Sequence, residues 1–520
     1  MPTSMFQYEM LPTTWFYISA IIILAIFFKF NRIWSVRNFD LICVILLTPG
    51  LLLIAGSKEM GAVHTGYAWL FCIQGLLVIR LILDTIMVRR PLLEPNLSRE
   101  GLSFAVFFLL FFLIAALVVN RGEHVDNVNT VRLEQILTAR HIHEGIGMRP
   151  DTFTIPQDEW DNMFPGFRPF IVLTERANLA FAPPGYIQQE IIQRTTVPLP
   201  DTTTDHDSTT DPDSTTDEVL SLPQAERASE EPANAEPANA EPTQNEPGSE
   251  DRASGINGDL ESLQAESVSL NPELKTWLLI LTFIIAGHLL IVCQLVYIGH
   301  RHFGQLQTGI ACAALYLFHP YAAQMIGRLD HIIPAALILW SVLAYRRPFF
   351  AGLGIGTAAA LVWYPIWLVP LWCSFYWQKG WMRFLAGTTA ALLAFALFLL
   401  MSPLEWGLFY DQLMHMAGKT AFLLFNQQPV GFWTLEGMYY RMPILALFIA
   451  MCFSTLFVPS HKHLASLIGW SALVMLSVQF VQIYQGGLYL AWYLPLLILT
   501  IFRPNLEDKT ARSAVVGNRF

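Results

Sequence analysis

The stretch Gly327–Trp372, GRLDHIIPAALILWSVLAYRRPFFAGLGIGTAAALVWYPIWLVPLW, strings together a polar cluster, an apolar span, a two-arginine turn, a glycine-spaced run and an apolar run interrupted at Pro365. Charge beside broken apolar segments is expensive in lipid, so it marks a site or an internal interface. Two readings of Gly327-Arg328-Leu329-Asp330-His331 stand side by side. Arg328 can hold a lipid phosphate while Asp330 orients a hydroxyl or the arginine, or the two can cap a helix end and pair with each other. Gly352 and Gly356 lie in an apolar run with no preceding strand and no following Lys-Ser/Thr, which predicts close helix packing rather than a phosphate loop.

Apolar runs alternating with short basic turns continue in both directions. The 520 residues are 54% hydrophobic and 14% charged, too little charge to cover a soluble protein of this size. The runs predict an all-α polytopic membrane protein with about 12–13 transmembrane helices. They lie near Trp15–Phe30, Phe39–Ala55, Ala68–Met87, Gly101–Val119, Thr276–Tyr297 and Thr308–Phe318, then His331–Tyr345, Ala351–Trp377, Met382–Met401, Met442–Val458, Leu464–Tyr484 and Leu488–Phe502.

Lys29, Arg32 and Arg37 follow the first span, which places the N-terminus outside and the 29–38 loop inside. Alternation from there puts Arg89–Arg99, His300–His302, Arg346–Arg347, Lys379–Arg383, His461–His463 and the Lys509/Arg512 tail inside, on one condition. Ala351–Trp377 must run in and back as two short helices broken at Trp363–Pro365. One long loop (120–274) and a second (402–441) then lie outside.

The long loop changes character along its length. Residues 120–195 carry Trp160, Phe164, Phe167, Phe170 and Phe181, enough for a small ordered subdomain. Residues 196–270 are rich in Thr, Asp, Ser, Pro and Glu, with the repeat EPANAEPANAEP at 231–242. So much charge and so few apolar side chains predict a disordered acidic linker, which accounts for the chain's net charge of −10. All six cysteines fall in apolar spans, so no disulfide framework is expected. His141 and His143 do not share a helical face, and no metal or cofactor is expected. Arg80 and Asp84, four apart in the third span, are expected to neutralise each other. Trp406, Phe409, Tyr410 and Trp433 suit an interfacial belt or, alternatively, a platform for a sugar.

From Leu315 to Trp372 the order of Pro320, Gly327-Arg328-Leu329-Asp330, Arg346-Arg347, Ala351-Gly352 to Gly356 and Trp363-Tyr364-Pro365 resembles the polyprenyl-phosphate-mannose-dependent mannosyltransferases of the GT-C class. Asn426-Gln427-Gln428 resembles that family's Asn-Gln-Ser. Tyr489-Leu490-Ala491-Trp492-Tyr493-Leu494-Pro495 resembles its late aromatic span, and Phe181-Ala182-Pro183-Pro184-Gly185-Tyr186 its Tyr-Pro-Pro. On that mapping residues 1–100 are an N-terminal three-helix addition and 101–119 the first core span. The extracytoplasmic subdomain (120–195) and acidic linker (196–270) follow, then the GT-C-like core (271–502) and a cytoplasmic tail (503–520).

The resemblance implies a bacterial plasma (inner) membrane glycosyltransferase. Such an enzyme moves a hexose from a polyprenyl-phosphate donor to a lipid or glycan acceptor outside the membrane, with inversion and with no nucleic-acid partner. It implies Asp126 as general base on the acceptor hydroxyl. It places Arg328, Asp330, His331 and Asn426 around the substrate, Arg328 offsetting the leaving phosphate's charge. Two positions depart from the family: Arg328 stands for Gln, and Trp363 for the Lys before the helix-breaking proline. These departures keep a catalytically inactive membrane scaffold open as an alternative. A transporter or flippase of a lipid-linked substrate is another, although transport predicts broken helices in corresponding halves and the sequence suggests only one break.

Overall fold

The computed structural model describes residues 12–56, 60–84, 94–119, 272–325, 327–400, 432–435, 440–459, 462–482 and 486–515. The chain divides into two compact units, Met1–Ala180 with Pro272–Phe520 and Phe181–Asn271, and the described residues belong to the first. The expected subdomain at 120–195, the acidic linker at 196–270 and nearly all of the 402–441 loop lie outside them.

Among the described residues the only ladder is an isolated bridge between His463 and Thr510, and everything regular is helical. Four helices precede the long loop: α1 (Pro12–Phe27), α2 (Val36–Gly56), α3 (Met60–Leu83) and α4 (Arg99–Val119). Beyond it come α5 (Pro272–Arg301), α6 (Leu306–Phe318), the short α7 (Pro320–Gln324), α8 (Leu329–Leu343) and α9 (Pro348–Val362). The rest are α10 (Val369–Phe375), α11 (Trp381–Leu400), α12 (Phe432–Leu435), α13 (Arg441–Ser454), α14 (Leu464–Val481), α15 (Leu494–Phe502) and α16 (Ala511–Ala514). Among the described residues six helices are long and apolar enough to cross a membrane, and six shorter apolar stretches accompany them. The chain is an all-α, multi-pass membrane protein.

Apolarity all round has opposite meanings in different helices. The apolar window of α14 is 94% buried, against 22% in α4 and α11, so α14 is an internal post and the other two present large faces to the surroundings. Phe104, Phe107, Phe111 and Phe112 on α4 are exposed, as lipid-facing side chains are. Glycine lets α9 and α11 approach closely: a Cβ at Gly352 would overlap the Phe384 carbonyl oxygen, and one at Gly356 would stand 2.6 Å from that of Thr388. Helices in lipid associate through such small-residue contacts, and the packing role expected for these glycines is the one observed.

Most of the basic turns gather at one end of the bundle. Lys29 Nζ donates to Asn96 Oδ1 at 2.9 Å, and the Asn96 N–H donates to Ile26 O at 2.8 Å. His302 Nε2 lies 3.2 Å from Leu343 O, Lys379 Nζ donates to Val515 O at 3.0 Å, and the Leu464 N–H donates to Lys509 O at 2.9 Å. Just inside this end Arg80 binds Asp40 bidentately, Nε–Oδ1 at 2.7 Å and Nη2–Oδ2 at 2.8 Å, and reaches Asp84 Oδ1 at 2.8 Å. Arg503, following α15, holds the other oxygen of Asp84. The Arg80–Asp84 pair expected from the sequence is therefore half of a four-residue network tying α2 and α3 to the end of α15.

The 348–377 segment runs away from this end and returns. A Cβ on Gly380 would meet Pro348 Cγ at 2.7 Å, and Tyr376 Oη donates to Tyr345 O at 2.6 Å, so entry and exit lie side by side. The break between them is a single residue, Trp363, with φ 64° and ψ −53°, followed by a 3-10 turn over Tyr364–Leu368. Pro365 lacks the N–H that helix continuation requires. The in-and-back geometry predicted from charge bias is the one observed.

Candidate functional site

Several helices end inside the bundle rather than at its surface. At 1.5 Å per residue α6, with 13 residues, spans about 20 Å, and α15, with 9, about 14 Å, against a hydrocarbon core of about 30 Å. Their inner ends are not continuous helix: the one-turn α7 and then residues 327–328 follow α6, residues 363–368 follow α9, and residues 486–493 precede α15. Non-helical backbone at such depth is tolerated where protein buries it or a cavity receives it. These three segments converge.

His319 shows how the first is held. Its Nδ1 accepts from the Tyr321 N–H at 3.2 Å, so Nε2 carries the proton and donates to Val44 O at 2.9 Å. Val44 lies eight residues, about 12 Å, along α2 from Val36. The turn after α6 therefore sits at mid-depth of the bundle.

Arg328 stands at the N-cap position of α8 without a side-chain capping bond, and binds Asp330 with two parallel bonds, Nε–Oδ1 at 2.9 Å and Nη2–Oδ2 at 2.7 Å. This is the fork geometry of a strong arginine–carboxylate pair. Arg328 is 9% exposed, and its Nη1 has no hydrogen-bond partner among the described residues. His331, one residue on, accepts or donates at Nδ1 with Tyr321 Oη, and its Nε2 lies 4.0 Å from Asp330 Oδ2. The pairing alternative for Arg328 and Asp330 is thus realised, with one guanidinium edge left over.

The 486–493 segment packs over this group. Trp492 Nε1 donates to Asp330 O at 3.0 Å. Tyr489 stacks on Trp492 with centroids 4.5 Å apart, and its ring lies tilted against His331 at 4.6 Å. Tyr364, just past the strained Trp363, lies against Trp492 at 5.9 Å. Gln74 on α3 and Gln479 on α14 both bind Gly487, whose φ of 97° only glycine adopts readily. The sequence suggested a continuous span over Leu488–Phe502. The structure has an irregular segment there and a helix only from Leu494, because Gly487 turns the chain and Pro495 occupies a first-turn position.

Of the five expected site residues, Arg328, Asp330 and His331 are brought together, while Asp126 and Asn426 lie outside the described residues. Tyr321, Tyr364, Tyr489, Trp492, Gln74 and Gln479 joined the cluster without being singled out as site residues. A mid-span polar or aromatic residue signals burial but does not name its partner. Trp433 is buried and donates from Nε1 to Phe480 O at 2.8 Å, beside Phe432 stacked on Phe71. It therefore serves packing at the end of α14 rather than an exposed belt or an open platform.

No protein-family model, curated protein or solved structure matches this chain.

Proposed function

We propose that the chain is a membrane glycosyltransferase with a GT-C-like core, moving a hexose from a polyprenyl-phosphate donor to an acceptor on the extracytoplasmic side of a plasma (inner) membrane. The observation that supports this reading best is the recessed Arg328–Asp330 pair: a cation with a spare donor edge, buried at lipid depth and walled by Tyr489 and Trp492. An anionic headgroup on a prenyl chain needs that combination of a charge-offsetting fork and apolar surroundings.

In the proposed step Asp126 takes the acceptor hydroxyl's proton as its oxygen forms a bond to the anomeric carbon. The bond from that carbon to the phosphate oxygen breaks, and its electron pair leaves with the polyprenyl phosphate, whose added charge Arg328 offsets. Attack opposite the leaving group inverts the centre. His331 and Asp330 hold the guanidinium and the start of α8 in place, and Asn426 contacts the substrate from the second loop.

The test is glycan and glycolipid profiling of a deletion strain complemented with wild type or Asp126→Asn. Loss of one glycosylated species, restored by wild type alone, supports the transferase and identifies the acceptor class. An unchanged profile in the deletion strain favours the inactive scaffold, to which Trp363 in place of Lys also points.

A second reading, transport of a lipid-linked substrate, gains one observation. The 486–493 segment is a further break that the sequence did not suggest, and it meets the break at 363–368 through Tyr364 and Trp492. Broken helices meeting at mid-depth are the signature of transporter sites. Accumulation of an unglycosylated precursor on one membrane face in the deletion strain, with transferase activity intact in its extracts, separates the two.

A further inference from the structure

Two buried glutamines clasp Gly487, one at its carbonyl and one at its N–H. Gln74 donates from Nε2 to Gly487 O at 2.8 Å and to Tyr493 Oη at 3.2 Å. Gln479 accepts at Oε1 from the N–H groups of Gly487 and Tyr489, both at 3.2 Å. These bonds settle which way each amide points. Turning Gln479 over would set its NH2 against two N–H donors, and turning Gln74 over would set its oxygen against a carbonyl.

Each amide keeps one unused function. Gln74 Oε1 and Gln479 Nε2 have no hydrogen-bond partner among the described residues, and neither has Gln482 Oε1, three residues along from Gln479. Gln74 and Gln479 are fully buried and Gln482 is 2% exposed. Buried carboxamides are seldom left so, because losing water without gaining a partner disfavours the folded state. Gln74 offers an acceptor, Gln479 a donor, and Gln482 whichever end of its amide is turned toward them, with no formal charge. An ion does not suit such a set; hydroxyls, which both donate and accept, do.

The surroundings narrow the choice further. Gln479 also binds the Tyr489 N–H, and the Tyr489 ring stacks on Trp492, whose N–H reaches Asp330. The glutamines and the Arg328–Asp330 pair are therefore joined through one aromatic stack. The Tyr489 and Trp492 rings are buried against each other, so they give the amide groups an apolar surround of ring edges, which suits a ligand with C–H groups between its hydroxyls.

We infer that Gln74, Gln479 and Gln482 form a subsite for an uncharged, hydroxyl-bearing ring, a sugar, beside the Tyr489–Trp492 stack. This deepens and rests on the transferase reading, since it puts the donor's hexose at the glutamines and its phosphate at Arg328.

The experiment uses the full-length protein in lipid nanodiscs, with methyl α-D-mannopyranoside, methyl α-D-glucopyranoside and methyl α-D-galactopyranoside as probes in saturation-transfer NMR. At least one glycoside receives saturation from wild type, and its affinity falls about ten-fold or more in Gln479→Glu and in Gln74→Met. Gln479→Glu keeps an acceptor oxygen for Gly487 and Tyr489 and replaces only the spare donor. Wild-type protein carrying 15N-glutamine supplies a readout that needs no variant: side-chain NH2 signals shift on adding that glycoside.

Absence of glycoside contact with wild type overturns the inference, as does binding indifferent to both substitutions. Glutamine-dependent glycoside binding with an unchanged glycan profile in the deletion strain keeps the subsite and removes the transferase reading. A lost glycosylated species with glycoside binding indifferent to the glutamines does the reverse.

Discussion

Trp492 Nε1 donates to the main-chain oxygen of Asp330 at 3.0 Å, a bond between residues 162 positions apart that joins the irregular 486–493 segment to the start of α8. It holds the Tyr489–Trp492 stack against the Arg328–Asp330 pair. Trp492→Phe keeps most of the ring contact and removes the donor. The expected cost is about 1–2 kcal/mol, from the lost bond and the carbonyl left behind. A lower melting temperature in detergent checks it, together with loss of complementation that exceeds the loss of folded protein.

In the Asp40–Arg80–Asp84–Arg503 network the Asp40–Arg80 pair is buried, with Arg80 4% exposed, while Asp84 and Arg503 are half-buried. Removing one partner from such a network exposes the rest to an uncompensated environment. Arg80→Met is expected to destabilise by about 3–5 kcal/mol. Adding Asp40→Asn recovers part of that loss, because the neutral amide no longer needs a buried cation. Chemical unfolding of the single and double variants measures the coupling, and strict additivity refutes it.

Trp363 holds a positive φ that side chains other than glycine's rarely adopt. Such a conformation costs about 1–3 kcal/mol, so Trp363→Gly is expected to raise thermal stability or leave it unchanged, despite the lost indole. Complementation of the deletion strain then reads whether the strained turn is needed to present Tyr364 to Trp492.

His302 sits just beyond α5, buried between Leu343 O and the Tyr345 ring, and burial lowers its pKa from 6.5 to about 4. The unfolded chain takes up a proton below about pH 6.5 while the folded protein resists until about pH 4. The folded state is therefore fully favoured above pH 6.5 and loses stability as pH falls through that window. A His302→Gln variant is expected to show a flatter decline in melting temperature between pH 6.5 and pH 4 than wild type.

The interface of α9 with α11 predicts steric sensitivity at Gly352 and Gly356. Gly356→Val places side-chain atoms against the Thr388 carbonyl and the Ala391 methyl, which overpacks the contact by about 1–3 kcal/mol. An equal substitution at Gly61, where a Cβ meets nothing within 4 Å, is expected to leave the melting temperature nearly unchanged.

Much of this was legible along the chain, and for local reasons. Arg80 and Asp84 lie one helical turn apart, so their pairing follows from spacing alone; Asp40 and Arg503, on α2 and beyond α15, do not reveal themselves that way. Pro365 announces a broken helix by its missing N–H, whereas the break at 486–493 hides in an apolar run punctuated only by Gly486-Gly487. Arg328 and Asp330 stood out because charge is rare in apolar sequence. Gln74 and Gln479 are ordinary span residues until Gly487 brings them together.

Hydropathy, charge bias and one proline by themselves determined that this is an all-α, multi-pass membrane protein whose 348–377 segment doubles back. Those properties depend on transfer free energies and backbone chemistry that each segment carries alone. Tertiary structure alone decided that α6, α9 and α15 end at a common depth, and that their irregular ends bring Arg328, Asp330, His331, Tyr489 and Trp492 together. Burial and hydrogen bonding between segments far apart in the chain are collective, and no single segment encodes its partner.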